Sequence, residues 1–236
     1  GMTQQLLGAL LLAFGKSALL VVATLVPIIN PPSTATIFLS LTEGASRQTR
    51  EELARRIAIN VGLLILGFTL IGSFVLDFFG ISLDIVRVGG GLLVAHTGWR
   101  LLSAERADSP RSADIADAYT PEMVRKKAFY PLSFPITCGP GTLAASITVG
   151  VSLSDPSWTM AAARTLGAMV GVAGVAVLIF LAYRYAEQLL RPLGETGTIV
   201  FLRLSAFILL CLGIQIFWDG AGSLLTSAIS QGYRLR

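Results

Sequence analysis

The sequence predicts an all-α, polytopic membrane protein of six transmembrane helices, arranged as two inverted three-helix repeats with helices 1 and 4 broken at the bilayer midplane. Three observations predict it. The 236 residues are 53% hydrophobic and only 14% charged, against roughly 45–50% apolar and about 25% charged in soluble domains. Six stretches match the run of about 20 apolar residues that a helix needs to cross a bilayer. Each half of the chain also carries a Pro/Gly interruption at a matching place, Asn30-Pro31-Pro32-Ser33-Thr34 in one and Gly139-Pro140-Gly141-Thr142 in the other.

Gly1 ahead of Met2 reads as a cleavage scar. Residues 1–15 form an N-terminal extension whose apolar run lacks the preceding basic residues and the small-residue cleavage site of a secretory leader. The extension is expected to be retained, as a helix lying in the interface. The first repeat, 16–103, holds spans at 16–42, 57–78 and 84–103. A polar stretch without helical periodicity follows and is read as a cytoplasmic linker, 104–128. The second repeat, 129–225, holds spans at 129–153, 158–185 and 198–218, and 226–236 is a C-terminal tail.

Orientation follows from the short loops, because Lys and Arg accumulate on the cytoplasmic side. Arg47, Arg50, Arg55 and Arg56 follow span 1, Arg125, Lys126 and Lys127 precede span 4, and Arg191 follows span 5. These loops share one face, which places both termini on the outer, periplasmic side. Three spans per half means that the second half enters the membrane from the opposite side. Inverted repeats of this kind, with broken helices at corresponding places, are a feature of secondary transporters.

The breaks carry the chemistry. Proline cannot donate a backbone hydrogen bond and crowds the preceding turn, and a freed backbone group in lipid costs several kcal/mol unless protein or water satisfies it. The breaks are therefore expected to face a polar cavity. After each one a new half-helix begins, whose exposed N–H groups favour an anion, while carbonyls ending the preceding half-helix can accept from a cation. A small zwitterionic solute fits both. Asn30, Pro31, Ser33, Thr34, Thr137, Cys138, Gly139, Gly141 and Thr142 are the candidate substrate-binding residues. Amides of Ser33, Thr34, Gly141 and Thr142 are expected to hold a carboxylate, and carbonyls near Ile29, Asn30 and Cys138 an ammonium. Either break alone is also what a proline-kinked membrane helix would give; the matching pair favours a site.

Asn60 and His96 are secondary candidates. A lone intramembrane amide usually bonds a neighbouring helix, and a lone histidine is suited to proton relay but is more often a satisfied interior residue. Arg87 and Arg203 lie near span ends, with Asp77 and Asp84 in reach as partners. Gly89-Gly90-Gly91 and the Gly167/Gly171 pair read as close-packing faces that also allow a homo-oligomer. Cys138 and Cys211 are not spaced as a redox or metal pair. With no phosphate loop, catalytic triad or metal-ligand cluster in view, no enzyme activity, metal or cofactor is expected. The net charge of +4 sits in loops between spans and reports topology rather than a nucleic-acid partner.

Several segments together resemble the MarC family of bacterial integral membrane proteins: Pro27-Ile28-Ile29-Asn30-Pro31, Gly80-Ile81-Ser82, Arg87-Val88-Gly89-Gly90-Gly91-Leu92 with Gly98-Trp99-Arg100, Pro135 with Gly139-Pro140-Gly141-Thr142, and the helix from Arg203 to Gly213. The resemblance runs from about residue 16 to 225 and implies a bacterial inner-membrane location and transport of small neutral amino acids such as alanine and glycine. Pro32, Cys138 and the N-terminal extension depart from the family pattern. The function expected is accordingly a secondary transporter, exporter or exchanger, working by alternating access. The alternatives are a channel for small neutral solutes and a non-transporting membrane assembly subunit.

Overall fold

A computed structural model describes residues 2–42, 44–103 and 121–234. Most of the expected linker, 104–120, lies outside the described residues, as does Gly1. Among the described residues all regular structure is helical.

Helix α1 runs unbroken from Met2–Ile29. Residues 2–15 are therefore continuous with the first span rather than a separate interfacial segment. At 1.5 Å per residue the 28 residues reach about 42 Å, so the first break follows a full-length helix instead of dividing a 16–42 span at its middle. The reason is local. Leu- and Ala-rich sequence carries the helix past Pro27, and only at Asn30 does the backbone turn left-handed, with φ 49° and ψ 66°. Asparagine is among the few residues that adopt this conformation routinely. Pro31 and Pro32 then occupy the first turn of α2 (Pro31–Leu41), where a missing N–H costs nothing.

Helix α3 (Arg47–Phe79) begins at Ser46, whose hydroxyl accepts from the Thr49 amide at 3.1 Å, and ends at Gly80 in a left-handed cap with φ 67°. α4 spans Leu83–Ser103. α5 (Pro121–Lys127) leads into an irregular helical segment, Ala128–Thr137, in which Tyr130 and Phe134 are extended. Each precedes a proline, which disfavours helical geometry in the residue before it, so this span is distorted at Pro131 and Pro135 as well as at the expected Gly139 break. α6 (Pro140–Ser152) leaves that segment at 72°. α7 (Trp158–Arg184), α8 (Ala186–Leu190), a single tight turn at Arg191–Leu193 and the long α9 (Gly194–Arg234) complete the chain. The expected tail from 226 onward is the end of α9.

Four runs are long and apolar enough to cross a membrane: Thr3–Ile29, Arg47–Phe79, Trp158–Arg184 and Ala186–Gly232. The bent pair Pro121–Thr137 and Pro140–Ser152 makes a fifth if it is one span. α4 is long enough, but Asp84, Arg87, His96 and Arg100 lower its apolarity. Phe74, Phe78 and Trp158 point outward, at 71%, 85% and 85% exposure, as lipid-facing side chains of a helical membrane protein do.

The interior is built on α1, α3 and α7, through Val21, Leu25, Ile57, Val61, Ile65, Val175 and Ile179. α1 and α7 pack closely and run parallel. A Cβ on Gly167 would stand 2.1 Å from the Phe14 carbonyl oxygen, and one on Gly171 2.7 Å from that of Ala18. α4 and α9 form an antiparallel pair in which Gly91 meets the Phe217 amide and Gly213 meets that of Ala95, at 2.3 and 2.2 Å from where a Cβ would lie. Of the Gly89-Gly90-Gly91 run, Gly91 makes this contact and Gly90 faces Ala144, whereas Gly89 faces open space.

Candidate functional site

The breaks at Asn30 and Gly139 open onto one cavity of about 340 Å³. α1 and α2 contribute Asn30, Ser33 and Thr34; the second break contributes Thr137, Gly139, Gly141 and Thr142; α4 contributes His96. Eight of the eleven candidate residues thus share one wall. Pro31, Cys138 and Asn60 do not line it. Cys138 is fully buried, and the Asn60 amide donates to the Ser133 hydroxyl at 3.3 Å, tying α3 to the irregular segment.

The two helix starts differ. At α2, Pro31 and Pro32 have no N–H, and the amides of Ser33 and Thr34 both donate to the Asn30 carbonyl at 3.0 Å. The expectation that these amides hold an anion is therefore corrected: this start presents hydroxyls. The Asn30 carbonyl, which also accepts from the Thr34 hydroxyl at 3.3 Å, is itself engaged rather than open to a cation. At α6, the amides of Gly141 and Thr142 have no acceptor among the described residues. They remain a donor pair at the positive end of a 13-residue helix.

The end of α1 supplies acceptors. In a continuing helix the Pro27 and Ile28 carbonyls would accept from residues 31 and 32, both prolines, and the Ile29 carbonyl from the Ser33 amide, which turns to Asn30 instead. These carbonyls lie where α1 meets the cavity, with Ile28 and Ile29 in its wall. Among the described residues no carboxylate lines the cavity. The arrangement can bind both ends of a zwitterion: amides and hydroxyls for the anion, carbonyls for the cation.

Beside the cavity, Tyr183 of α7 connects the breaks. Its hydroxyl lies 2.6 Å from that of Thr137, which also donates to the Leu132 carbonyl at 2.7 Å. The ring is 2% exposed and stacks on Phe38 of α2, centroids 4.8 Å apart.

A sequence model described as "MarC family integral membrane protein" matches residues 15–225. The chain belongs to the MarC family. It is 32% identical to inner membrane protein MarC of Escherichia coli O1:K1 / APEC over 202 residues, covering 83% of this chain and 90% of that protein. The proteins of the same description from Escherichia coli K12 and Shigella flexneri are 31% identical over the same length. No solved structure matches. Together with its apolar runs, this makes the chain a multi-pass inner-membrane protein.

Two elements of this MarC family site escaped sequence reasoning. Tyr183, at a helix end beside Arg184, carries the signature of an interfacial aromatic, and nothing local distinguishes it. Arg100 lines the cavity from α4 with Thr97, and forms no ion pair among the described residues. The signal for it was the Gly98-Trp99-Arg100 segment, an arginine one helical turn past His96 and so on the same helix face.

Proposed function

We propose that this MarC family protein is a secondary transporter of small neutral amino acids such as alanine and glycine, working by alternating access, and that it is not an enzyme. The observation that carries the reading is the convergence of both breaks on one cavity whose wall holds both the unbonded Gly141 and Thr142 amides and the end of α1 with its freed carbonyls. The substrate carboxylate is held by the Gly141 and Thr142 amides with the nearby hydroxyls and Arg100. The ammonium is held by carbonyls at the end of α1, Ile29 foremost.

Six crossings, made by α1 with α2, α3, α4, α5 through α6, α7 and α9, form two inverted three-helix repeats in this reading, with both termini periplasmic. Helix directions support it. α1 runs parallel to α7, as first and fifth spans should. α3 runs antiparallel to α7, with Gly62 against Ala176 and Glu51 paired to Arg184 at 3.1 Å. The contact of α1 with α7 has its counterpart in that of α6 with α3, where Gly72 meets Ile147. Exchanging first with fourth and second with fifth spans relates the two, as an inverted repeat requires.

Counterflow of labelled alanine into proteoliposomes preloaded with unlabelled alanine tests the reading. Saturable accumulation, reduced in Thr142→Val, is the expected result. No counterflow from folded protein sinks it, and flux without saturation or exchange points to a channel. Gly141→Leu is not a clean control, because a Cβ at Gly141 would lie 2.0 Å from the Val94 side chain and push α4 away.

A further inference from the structure

A second cavity, of about 430 Å³, is lined by Thr24 and Ile28 of α1, Arg87 of α4, Thr148 of α6 and Asp219 of α9. Its place relative to the substrate cavity is given by three helices that line both. Along α4 the order is Arg87, then Leu93 through Leu101 in the first cavity; along α6 it is Thr148, then Gly139 through Thr142; along α9 it is Asp219, then Leu209. Ile28 belongs to both walls. The two cavities are therefore stacked end to end, with Ile28 between them, and the second lies toward the start of α4, away from the Arg-rich loops.

The chemistry of the second cavity is distinct, since it contains both a full positive and a full negative charge. No ion pair joins Arg87 to Asp219 among the described residues. Arg87 gives one N–H to Asp84 at 3.1 Å, out of five that a guanidinium carries. Asp219 accepts from the Gln215 amide at 2.8 Å through one oxygen, which leaves the other. Arg87 lies near the start of α4, ion-paired to Asp84, and a guanidinium and a carboxylate on facing helices suit a ligand with the opposite pair of charges.

We infer that this chamber is a second zwitterion site, in which Arg87 receives the carboxylate and Asp219 the ammonium of an α-amino acid on the far side of Ile28 from the substrate cavity. It is the station through which the solute enters or leaves on that face. The inference rests on the amino-acid reading of the first cavity, and the experiment separates the two. Equilibrium dialysis of labelled alanine against the purified full-length protein should find two alanines per wild-type chain. Asp219→Asn, which removes a carboxylate bonded among the described residues to Gln215, should leave one, with the affinity of the lost site down by about tenfold or more; Arg87→Lys should weaken the same site. Propionate and ethylamine, each carrying one of the two charges, should compete poorly for it. A single alanine bound equally by wild type and Asp219→Asn overturns the second site and leaves the first standing. No binding by folded wild-type protein overturns both.

Discussion

The hydroxyls of Thr137 and Tyr183 lie 2.6 Å apart in the buried interior, joining the residue just before the second break to the C-terminal end of α7. The same tyrosine stacks on Phe38 just after the first break. One side chain thus couples α2, α7 and the irregular segment. Alternating access requires some elements to move together, and this contact is where the two broken elements are held to one another.

Removing the hydroxyl alone separates coupling from packing. Tyr183→Phe keeps the Phe38 stack and leaves Thr137 its bond to the Leu132 carbonyl, so the stability cost should be about 1 kcal/mol. Counterflow should nonetheless fall several-fold, while Tyr183→Ala, which also empties a buried ring, should lose about 3–5 kcal/mol. Thermal unfolding of both variants in detergent, alongside transport, distinguishes the two effects. Unchanged counterflow in Tyr183→Phe would show that the hydroxyl does not couple the breaks.

Within the Gly89-Gly90-Gly91 run, the outcome should depend on position. Gly89→Ala adds a methyl to open space and gains up to about 1 kcal/mol of helix propensity. Gly91→Ala drives a methyl to within 2.3 Å of the Phe217 amide nitrogen, so α4 and α9 must separate and the folded yield should drop. Size-exclusion profiles and melting temperatures would decide it, and equal behaviour of the two variants would contradict the packing described.

Near the start of α3, Arg50 donates from two nitrogens to the Thr42 carbonyl, each at 3.2 Å, and pairs with Glu187. Arg50→Ala frees the carbonyl that ends α2 and should destabilise the protein by about 1–2 kcal/mol, mostly through that carbonyl. Glu187→Gln removes only an exposed ion pair and should cost under about 1 kcal/mol. Thermal melts at low and high salt test the split, since only the ion-pair part should be salt-sensitive.

For the substrate cavity, Thr142→Val preserves shape and removes one hydroxyl beside the two free amides. A rise of about three- to tenfold in the alanine concentration for half-maximal counterflow is expected, with the fold intact. If the half-maximal concentration stays put, Thr142 contributes nothing beyond its backbone.

Much was legible in the sequence because it is local. Apolar composition set the solvent, and Asn30 followed by two prolines sets a left-handed turn and a helix restart whatever surrounds it. Gly139-Pro140 opens α6 with a proline in its first turn, and the Gly89-Gly90-Gly91 run and the Gly167/Gly171 pair announce close helix contacts. What escaped was either continuity or convergence. Nothing between Met2 and Pro27 halts a helix, so α1 absorbs the extension and reaches full length before its break. The tandem prolines that mark the break also remove two N–H groups from α2, and the turn at Asn30 takes the next two, so one predicted anion site became a set of hydroxyls. The tertiary structure alone decided which residues share a wall. That Tyr183 reaches Thr137, that Arg100 enters the substrate cavity, and that Arg87 faces Asp219 across a second one depend on the register and crossing of helices far apart in the chain, and no local propensity encodes either.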